Sequence, residues 1–453
     1  MTPDAAERAR SHPCYSEEGH RHFARMHVAV APGCNIQCHY CNRKYDCANE
    51  SRPGVASERL SPEDAVRKVL AVAARLPQLS VVGIAGPGDP LANPERTFAT
   101  LEGVKRALPD LKLCVSTNGL ALPESVDRLV ALGVEHVTVT INMVDPEVGE
   151  RIYPWIVMGG RRIEGREASR ILSERQLEGL ERLAARGVLC KVNSVLIPGV
   201  NEAHIPEVSR RVRALGAFLH NVMPLVAAPE HGTHYGLTGQ REPTRDELEA
   251  VQRACGGGAE VMRHCRRCRA DAIGMLGEDR RDEYALARLP VSVPDGSLAR
   301  RSYLGAVERR REQLAQARGA ALAAAAPLPA DVRERIAVAT RGEGLVNEHF
   351  GHAAEFQVYD VGREGAKLVG VRQIPHYCLG GEGEERSLDA ILDVLSDCAA
   401  VLVARIGRCP RERLAAAGIE AVDAHAFEPI EVAALGWLRA RAERTGSCRQ
   451  RVA

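Results

Sequence analysis

The sequence predicts an α/β chain with two domains, a partial (β/α)6 barrel followed by a smaller α/β domain. Three observations support this prediction. Six apolar strand segments alternate with helical segments up to residue 255, and three of the strands carry polar residues on one face. A charged, Ala/Pro-rich stretch then precedes a second strand–helix pattern. Strands that alternate with helices are typical of parallel sheets with right-handed crossovers.

The composition is that of a globular protein. The 453 residues suffice for two or three domains, with 45% hydrophobic and 26% charged residues. The formal net charge of +1 does not indicate a nucleic-acid surface. The N-terminus lacks the apolar segment of a secretory signal, and no run of about 18 apolar residues could span a membrane. We therefore expect a cytoplasmic protein that binds neither nucleic acid nor membranes.

The six strand–helix units follow one another along the chain. The predicted strands are 27–32, 80–85, 112–118, 136–142, 189–197 and 220–226, and the predicted helices are 61–76, 94–108, 122–132, 173–186, 204–215 and 244–255. Ser61 before Pro62 predicts where the first of these helices begins. Ser173 with Gln176 has the capping-box pattern for the fourth.

Polar residues on one strand face distinguish a barrel from a doubly wound sheet. Parallel strands that are buried on both faces should be almost wholly apolar. Alternate residues of a strand share a face, and on three strands that face is polar: Cys114, Ser116 and Asn118; Thr138, Thr140 and Asn142; Lys191 and Asn193. This pattern favours a partial barrel whose lumen holds a polar ligand.

Composition also predicts the domain boundaries. Residues 1–295 contain the barrel units, and residues 296–332 change to a charged helix followed by a low-complexity Ala/Pro tether. Such a stretch is typical of a linker. From residue 333, strand and helix segments predict a compact α/β domain that continues to residue 453.

The most specific local pattern is a group of cysteines after the first strand. Cys34, Cys38 and Cys41 have the spacing C-x3-C-x2-C, and Cys47 follows. Structural zinc sites prefer two well-separated ligand pairs. Three closely spaced thiolates instead suit a four-iron cluster with one iron that has no protein ligand. The pattern therefore favours iron–sulfur chemistry over zinc.

This spacing, directly after the first strand of a βα repeat, resembles the radical S-adenosylmethionine (SAM) superfamily. The resemblance implies that SAM chelates the open iron, and that an electron from the cluster splits SAM to give a 5′-deoxyadenosyl radical. It also implies a SAM site at the strand ends, for which the candidates are Gly86, Gly88, Asp89, Ser116, Asn118, Asn142 and Ile197. Each residue alone could equally belong to an ordinary βα turn.

Longer stretches resemble the NifB family of nitrogenase-cofactor maturases. They are CNIQCHYCNRKYDCANESRPG, HPC (12–14), AGPGDPLAN (85–93), STNG (116–119), IYPWI (152–156), HGTHYG (231–236) and RHCRRCRADAIG (263–274). GLVNEHFGHAAEFQVYDV (344–361) resembles the NifX-type domain, which is RNase H-like. The family resemblance implies a maturase that fuses two [4Fe-4S] clusters around a carbide from SAM. One SAM methylates a cluster sulfide, and the radical from a second abstracts hydrogen from that methyl group.

Two substrate clusters would need soft ligands beyond the three motif cysteines. The candidates are Cys14, His27, Cys47, Cys114, Cys265 and Cys268, and their division between the clusters stays open. Cys114 and His27 are expected near the starts of their strands. Glu50 could assist methyl or proton handling, or form a loop salt bridge. Cys190 and Cys255 have no motif support and are expected to be structural.

The resemblance also implies partners. These are an iron–sulfur cluster donor, a cofactor carrier or scaffold protein, and an electron donor such as ferredoxin or flavodoxin. In the second domain, His349, His352, His376 and Cys378 could hold a finished cluster, although surface histidines are common. Two other functions stay open, a peptide-modifying radical SAM enzyme with auxiliary clusters and a non-catalytic iron–sulfur carrier.

Overall fold

The computed structural model describes residues 8–48, 54–256, 260–262, 269–275, 277–290, 293–374 and 384–450. Contacts divide the chain into two compact units between Tyr303 and Leu304. Each unit has its own sheet and its own hydrophobic core.

The first unit alternates strands and helices, as predicted. Its described strands are β1 Ala24–His27, β2 Ile36–Gln37, β3 Leu79–Ile84, β4 Lys112–Thr117, β5 Val134–Thr140, β6 Trp155–Met158, β7 Arg161–Glu164, β8 Leu189–Leu196, β9 Leu219–Pro224, β10 Glu260–Val261 and β11 Ile273–Gly274. Its helices are α1 Glu17–His22, α2 Pro62–Arg75, α3 Pro94–Ala107, α4 Leu122–Ala131, α5 Pro146–Gly149, α6 Gly165–Ala185, α7 Ile205–Ala214, α8 His234–Leu237 and α9 Arg245–Cys255.

Seven parallel strands form the partial barrel. The sheet order among the described residues is β10-β9-β8-β5-β4-β3-β1-β11, and only β11 runs antiparallel to its neighbour. A separate three-stranded sheet, β2-β6-β7, lies after β1 in the chain and includes residues of the cysteine loop. The apolar core packs the helices against β1, β3, β4, β5 and β8. The fold class predicted from the sequence is therefore confirmed.

Two elements have boundaries that differ from the prediction by more than two residues. The first strand is 24–27 rather than 27–32. Residues 28–31 lie beyond the end of its continuous pairing, although they stay buried. Burial keeps this stretch apolar, so composition cannot locate the end of the strand. The fourth predicted helix begins at Gly165, and Ser173 is a buried interior residue of α6. The predicted capping box at Ser173 is therefore wrong.

The starts of α2 and α9 show capping. Ser61 accepts a hydrogen bond from the Asp64 amide, and Pro62 occupies the first turn of α2, as predicted. Thr244 and Glu247 form a capping box at α9 that the sequence prediction did not include. Both caps satisfy amide groups that have no acceptor within the helix.

The second unit is an α/β domain with a five-stranded sheet. Its strand order is β14-β13-β12-β15-β16, and β12, β15 and β16 are parallel. The strands are β12 Arg333–Val338, β13 Glu355–Gly362, β14 Gly365–Gln373, β15 Ala400–Leu402 and β16 Glu420–Val422. The helices are α11 Glu384–Leu395, α12 Arg408–Ala416 and α13 Ile430–Gln450.

The predicted linker contains a single long helix, α10, which spans Ser297–Ala325. Its first turns belong to the first unit, where the Arg300 guanidinium donates to the Leu79 carbonyl at 2.6 Å and the Tyr303 hydroxyl donates to the His22 carbonyl at 2.6 Å. The assignment of 296–332 as a linker stays a prediction, but residues 297–303 pack as part of the barrel unit.

Candidate active site

The three motif cysteines surround one cavity beyond the end of β1. Cys34, Cys38 and Cys41 line a space of about 430 Å³, together with Gly88 and Asn118. Cys38 is buried and the other two thiols are half-buried. Three thiols that line one cavity have the placement that a cluster with three protein ligands requires.

Side-chain amides and a guanidinium shape the cysteine loop. Gln37 Nε2 donates to the carbonyls of Cys38 at 2.9 Å and Cys41 at 2.8 Å. Arg43 Nη2 donates to the Cys34 carbonyl at 3.0 Å. These bonds satisfy loop carbonyls that belong to no helix or sheet, so the loop is held before any cluster binds.

Burial dominates the acidity of the three thiols. It raises the pKa of Cys38 and Cys34, and it raises the pKa of Cys41 to about 11. The neighbouring thiols raise the pKa of Cys38 and Cys41 further, whereas the Arg43 charge opposes the shift. Iron binds the thiolate form, so iron ligation would stabilise the deprotonated thiols against the effects of burial and of their mutual repulsion. The residues present therefore fit a [4Fe-4S] cluster.

The segment AGPGDP meets the cysteine loop through its backbone. The Gly88 amide donates to the Ala31 carbonyl at 2.6 Å, and the Asp89 amide donates to the Gly33 carbonyl at 2.6 Å. A side chain at Gly88 would place its Cβ only 2.0 Å from the Gly33 oxygen. Only glycine permits this approach.

The buried carboxylate of Asp89 fixes the end of β4. It accepts hydrogen bonds from the Thr117 hydroxyl at 3.0 Å and from the Asn118 amide at 2.5 Å. Burial raises the pKa of Asp89, while these bonds oppose the shift. The bonds orient Asn118, whose Nδ2 donates to Cys34 Sγ at 3.5 Å and to Asn35 Oδ1 at 2.8 Å.

The SAM candidates divide by burial and contacts. Gly88, Asp89 and Asn118 line the cavity. Asn142 is completely buried, and its Nδ2 donates to the hydroxyls of Tyr40 and Tyr153 at 2.7 and 2.8 Å. Since its Oδ1 also accepts from the Val195 amide, Asn142 supports the loop through Tyr40 rather than facing a ligand directly.

The remaining SAM candidates are not among the residues that line this cavity. Ser116 is buried on β4, two residues before Asn118. Ile197 follows β8, is completely buried, and donates its amide to Asn201 Oδ1 at 2.8 Å. Gly86 precedes Gly88 in the segment that meets the cysteine loop.

A second group of soft side chains lies on the barrel strands. His27 ends β1 rather than starting it, contrary to the prediction, and pairs in register with Gly83. Gly83 pairs in turn with Cys114. A Cβ built on Gly83 would lie 3.0 Å from the His27 ring and 3.8 Å from Cys114 Cβ. The missing side chain of Gly83 therefore leaves room between His27 and Cys114.

The His27 ring has one nitrogen near a backbone carbonyl. Its Nδ1 lies 3.1 Å from the Arg269 carbonyl oxygen. A carbonyl cannot donate, so Nδ1 carries the proton and the neutral ring has its lone pair on Nε2. The Nε2 side of the ring faces Gly83, where an added Cβ would lie 3.0 Å from Cδ2 and 3.4 Å from Nε2. This tautomer suits a histidine that binds metal through Nε2.

The structure adds a buried histidine pair that sequence analysis missed. The rings of His12 and His136 lie 4.4 Å apart, and His136 pairs in register with Cys114. His12 Nδ1 accepts from the Cys14 amide at 3.2 Å, which brings Cys14 to this group. The only sequence signal was the position of His12 within HPC.

The fourth loop cysteine shares the first cavity. Cys47 lines the same space as Cys34 and Cys38, and its amide donates to the Pro87 carbonyl at 2.9 Å. The other predicted residues, Glu50, Cys265 and Cys268, lie outside the described residues. Cys190 and Cys255 are buried in apolar clusters, as predicted.

Comparison with known proteins decides the family. The radical SAM superfamily matches residues 28–212, and the family described as dinitrogenase iron-molybdenum cofactor matches residues 333–439. The FeMo cofactor biosynthesis protein NifB of Herbaspirillum seropedicae is 55% identical over 454 residues, which cover 99% of this chain and 86% of that protein. The chain belongs to the NifB family. The NifB of Rhodobacter capsulatus is 56% identical, over 97% of this chain and 98% of that protein.

Membership of the NifB family makes the chain a radical SAM enzyme of FeMo-cofactor biosynthesis, and implies a [4Fe-4S] cluster and SAM. Among solved structures, the FeFe-hydrogenase maturase HydG from Carboxydothermus hydrogenoformans is 16% identical, with a TM-score of 0.38 over 63% of this chain and 60% of that chain. That likeness is too weak to support a functional statement, so the NifB assignment depends on the sequence relatives.

The second unit of this NifB-family chain places two predicted histidines together. The rings of His349 and His352 lie 4.7 Å apart. His349 Nδ1 accepts from the Gly351 amide at 3.0 Å, and burial lowers the His349 pKa. His376 and Cys378 lie outside the described residues. Across the described part of the chain, every helix is too short or too polar to cross a membrane.

Proposed function

We propose that the protein fuses two [4Fe-4S] clusters and inserts a SAM-derived carbide to make the eight-iron precursor of the nitrogenase cofactor. The observation that carries this proposal is the presence of soft side chains at two levels of one barrel. Cys34, Cys38 and Cys41 share a cavity with Cys47, while His27, Cys114 and Cys14 occupy the strand level below it. A simple carrier has no need for the SAM-binding loop.

The first level would hold SAM and its cluster. Cys34, Cys38 and Cys41 are the proposed protein ligands of that cluster. Gly88 and Asn118 line the same cavity, and the Asn118 amide contacts Cys34. A reduced [4Fe-4S] cluster held by these cysteines would supply one electron for the cleavage of SAM into methionine and a 5′-deoxyadenosyl radical, which would abstract hydrogen. Because Asp89 and Asn142 are buried and hydrogen-bonded, their role is to position Asn118 and the cysteine loop.

The described residues support a division of the substrate-cluster ligands. His27 and Cys114 flank Gly83, and Cys14 contacts His12 beside the in-register partner of Cys114. We assign these three side chains to one substrate cluster. Cys47, which lines the cavity of the motif cysteines, would then bind the second substrate cluster together with Cys265 and Cys268. Glu50 is a proposed proton-handling residue.

Partners are proposed on the same basis. A cluster donor must supply the two substrate clusters, and a ferredoxin or flavodoxin must supply the electrons. A carrier or scaffold protein must then accept the product. The second unit is the proposed site where the product is held, through His349 and His352 together with His376 and Cys378. Its match to an iron-molybdenum cofactor family supports this assignment.

One experiment tests the proposed function. Under anaerobic reduction, the cluster-loaded protein should release both 5′-deoxyadenosine and S-adenosylhomocysteine from SAM. The first product reports radical formation and the second reports methyl transfer, and chromatography separates them. Release of 5′-deoxyadenosine without S-adenosylhomocysteine would contradict the methylation step, and release of neither would contradict the enzyme assignment.

A further inference from the structure

A two-stranded hairpin extends the cysteine loop into a small sheet. The hairpin strands β6 and β7 follow α5 in the chain, and β6 pairs with β2, in which Gln37 immediately precedes Cys38. The hairpin turns at Gly159 and Gly160, which have positive φ angles of 58° and 72°. A two-residue hairpin turn favours such angles at both positions. The hairpin is thus attached directly to the loop that carries the three motif thiols.

The first residue of β6 is a tryptophan on the wall of the thiol-lined cavity. Trp155 pairs in antiparallel register with Gln37, and directly opposite residues of such a pair have Cβ atoms about 5 Å apart. The Trp155 side chain is half-buried and lines the cavity of about 430 Å³ together with Cys38 and Asn118. The cavity therefore has a large flat aromatic surface close to the cysteine loop.

One face of the Trp155 ring is already occupied. The Arg162 guanidinium carbon lies 4.9 Å from the ring centroid, and Glu164 Oε1 lies 2.7 Å from Arg162 Nε. Within the hairpin, Glu164 lies opposite Trp155 and Arg162 lies diagonally across from it, so the three side chains share one face of the sheet. Arg162 does not line the cavity. The ring surface that lines it is therefore the part that Arg162 leaves uncovered.

Among the described residues, one other aromatic side chain lines this cavity. Tyr45 is engaged elsewhere, because its hydroxyl donates to the Glu230 carbonyl at 3.2 Å and its ring makes an edge-to-face contact with His231. Trp155 is therefore the aromatic surface that is available to a planar group of a ligand.

We propose that the adenine of SAM stacks on the uncovered face of Trp155, so that the hairpin rather than the barrel recognises the purine. The inference rests on the proposed function, because it adds the residue that recognises one part of its SAM. Chelation of the open iron would place the methionine part of SAM beside the three thiols, which leaves the adenine for another wall of the cavity. An indole ring offers the apolar flat surface on which a purine stacks.

The Arg162 contact prepares the Trp155 ring for this role. A guanidinium against one face of an indole is attracted by the π-electrons of the ring, and Glu164 in turn holds the guanidinium. The ring therefore has a defined orientation before SAM binds. A surface that is ordered in advance loses less conformational entropy when the ligand arrives.

Equilibrium dialysis of SAM with the cluster-loaded protein tests the proposal. No reductant is added, so the measurement does not depend on any later reaction step. The variants are Trp155→Ala and Trp155→Phe. The matched control is Val157→Ala, which changes an exposed residue on the same hairpin face that does not line the cavity. Methionine and 5′-deoxyadenosine then compete with SAM as separate probes of its two parts.

We expect Trp155→Ala to raise the dissociation constant of SAM by about tenfold, which corresponds to about 1.4 kcal/mol and is typical of a base stacked on an aromatic ring. The inhibition constant of 5′-deoxyadenosine should rise by the same factor, whereas that of methionine and the iron content should not change. Trp155→Phe keeps an aromatic face and should retain most of the affinity, and Val157→Ala should bind SAM as the parent does.

Fluorescence provides a second readout. The chain contains two tryptophans, so Trp437→Phe leaves Trp155 as the only emitter. Stacking of the adenine should quench Trp155 emission when SAM or 5′-deoxyadenosine binds, and methionine should leave the emission nearly unchanged.

Other results would overturn the adenine site. Parental SAM affinity in Trp155→Ala, or Trp155 emission that does not respond to SAM, would mean that the adenine binds elsewhere. An equal loss of affinity for methionine and 5′-deoxyadenosine would mean that Trp155 only supports the cysteine loop. If the parent shows the expected SAM binding but releases no S-adenosylhomocysteine after reduction, the proposed function fails while the adenine site stands, so the two failures are distinguishable.

Discussion

Asn118 donates a hydrogen bond from Nδ2 to Cys34 Sγ at 3.5 Å. Hydrogen bonds to cluster sulfurs raise the reduction potential, because they stabilise the added negative charge. We therefore expect Asn118→Ala to shift the midpoint potential of the SAM-binding cluster to more negative values, by tens of mV for a bond worth about 1 kcal/mol.

A redox titration followed by electron paramagnetic resonance measures this shift. Asn35→Ala is the control, because it removes the acceptor of the other Nδ2 bond and keeps the donor to sulfur. Equal potentials in the parent and Asn118→Ala would show that the contact does not influence the cluster.

Cys47 should serve a substrate cluster although it shares the cavity of the motif cysteines. We expect Cys47→Ala to retain the SAM-binding cluster, to lower the iron content, and to reduce the yield of the fused product. In contrast, Cys38→Ala should abolish both SAM-derived products while the other clusters still load. Iron analysis and product chromatography make the comparison, and a Cys47→Ala protein with parental iron and yield would mark Cys47 as structural.

Gly83 should be required for the room between His27 and Cys114. In Gly83→Ala the new methyl group would lie 3.0 Å from the His27 ring, so the imidazole must move by a few tenths of an ångström. We expect a lower iron content after cluster loading, with 5′-deoxyadenosine release from the SAM-binding cluster retained.

The control for this change is Gly370→Ala, where an added Cβ meets open space. It should load iron as the parent does. If Gly83→Ala also loaded the full iron complement and made the fused product, the assignment of His27 and Cys114 to one cluster would lose its support.

Removal of the second unit should leave SAM chemistry intact if the cut spares the start of α10. A chain of residues 1–316 keeps Arg300, whose Nη2 lies 2.5 Å from Asp110 Oδ2, and Tyr303. We expect it to cleave SAM at the parental rate but to lose retention of the product. A chain of residues 1–296 loses these contacts and should be less stable by about 2 kcal/mol. A folded 1–316 protein that fails to cleave SAM would disprove this separation of roles.

His220 should make the barrel less stable in acid. Burial lowers the His220 pKa to about 4, while an exposed histidine titrates near 6.5. Between these values the unfolded chain binds more protons than the folded chain. The free energy of unfolding therefore has its full value, as far as His220 is concerned, above pH 6.5, and it decreases as the pH falls toward 4. The loss is at most about 3 kcal/mol, at 1.36 kcal/mol per pKa unit.

Urea unfolding of the cluster-free chain at several pH values tests this dependence. Trp155 fluorescence in a Trp437→Phe background reports the first unit. His220→Gln should show a shallower loss of stability in acid than the parent, and His425→Gln, in the second unit, should show the parental slope. Identical slopes for all three proteins would mean that His220 does not contribute.

Sequence reasoning predicted the barrel because its signals are periodic and local. The apolar strands and the polar lumen faces of β4, β5 and β8 follow from alternation alone, and Ser61 with Pro62 located the start of α2. The cysteine spacing likewise needed no tertiary information. The start of α6 was missed because the charged residues before Ser173 have no strong apolar stripe, although they are helical.

The finer features of the site depend on contacts between distant segments. Asn142 had the same strand-end position as Asn118, yet only the structure shows that Tyr40 and Tyr153 use its amide. The pairing of His12 with His136 joins residues that are 124 positions apart. No period or spacing encodes such a contact, which is why this pair was missed.

The backbone contact between Gly33 and Gly88 has a consequence for protein engineering. Because only main-chain atoms form this contact, side-chain changes elsewhere cannot restore it. Selection for function from a library at position 88 should therefore yield almost only glycine. Neighbouring positions whose side chains face the cavity, such as Val55, have no such restriction. Variants for altered cofactor analogues can therefore be sought there while the two loops keep their alignment.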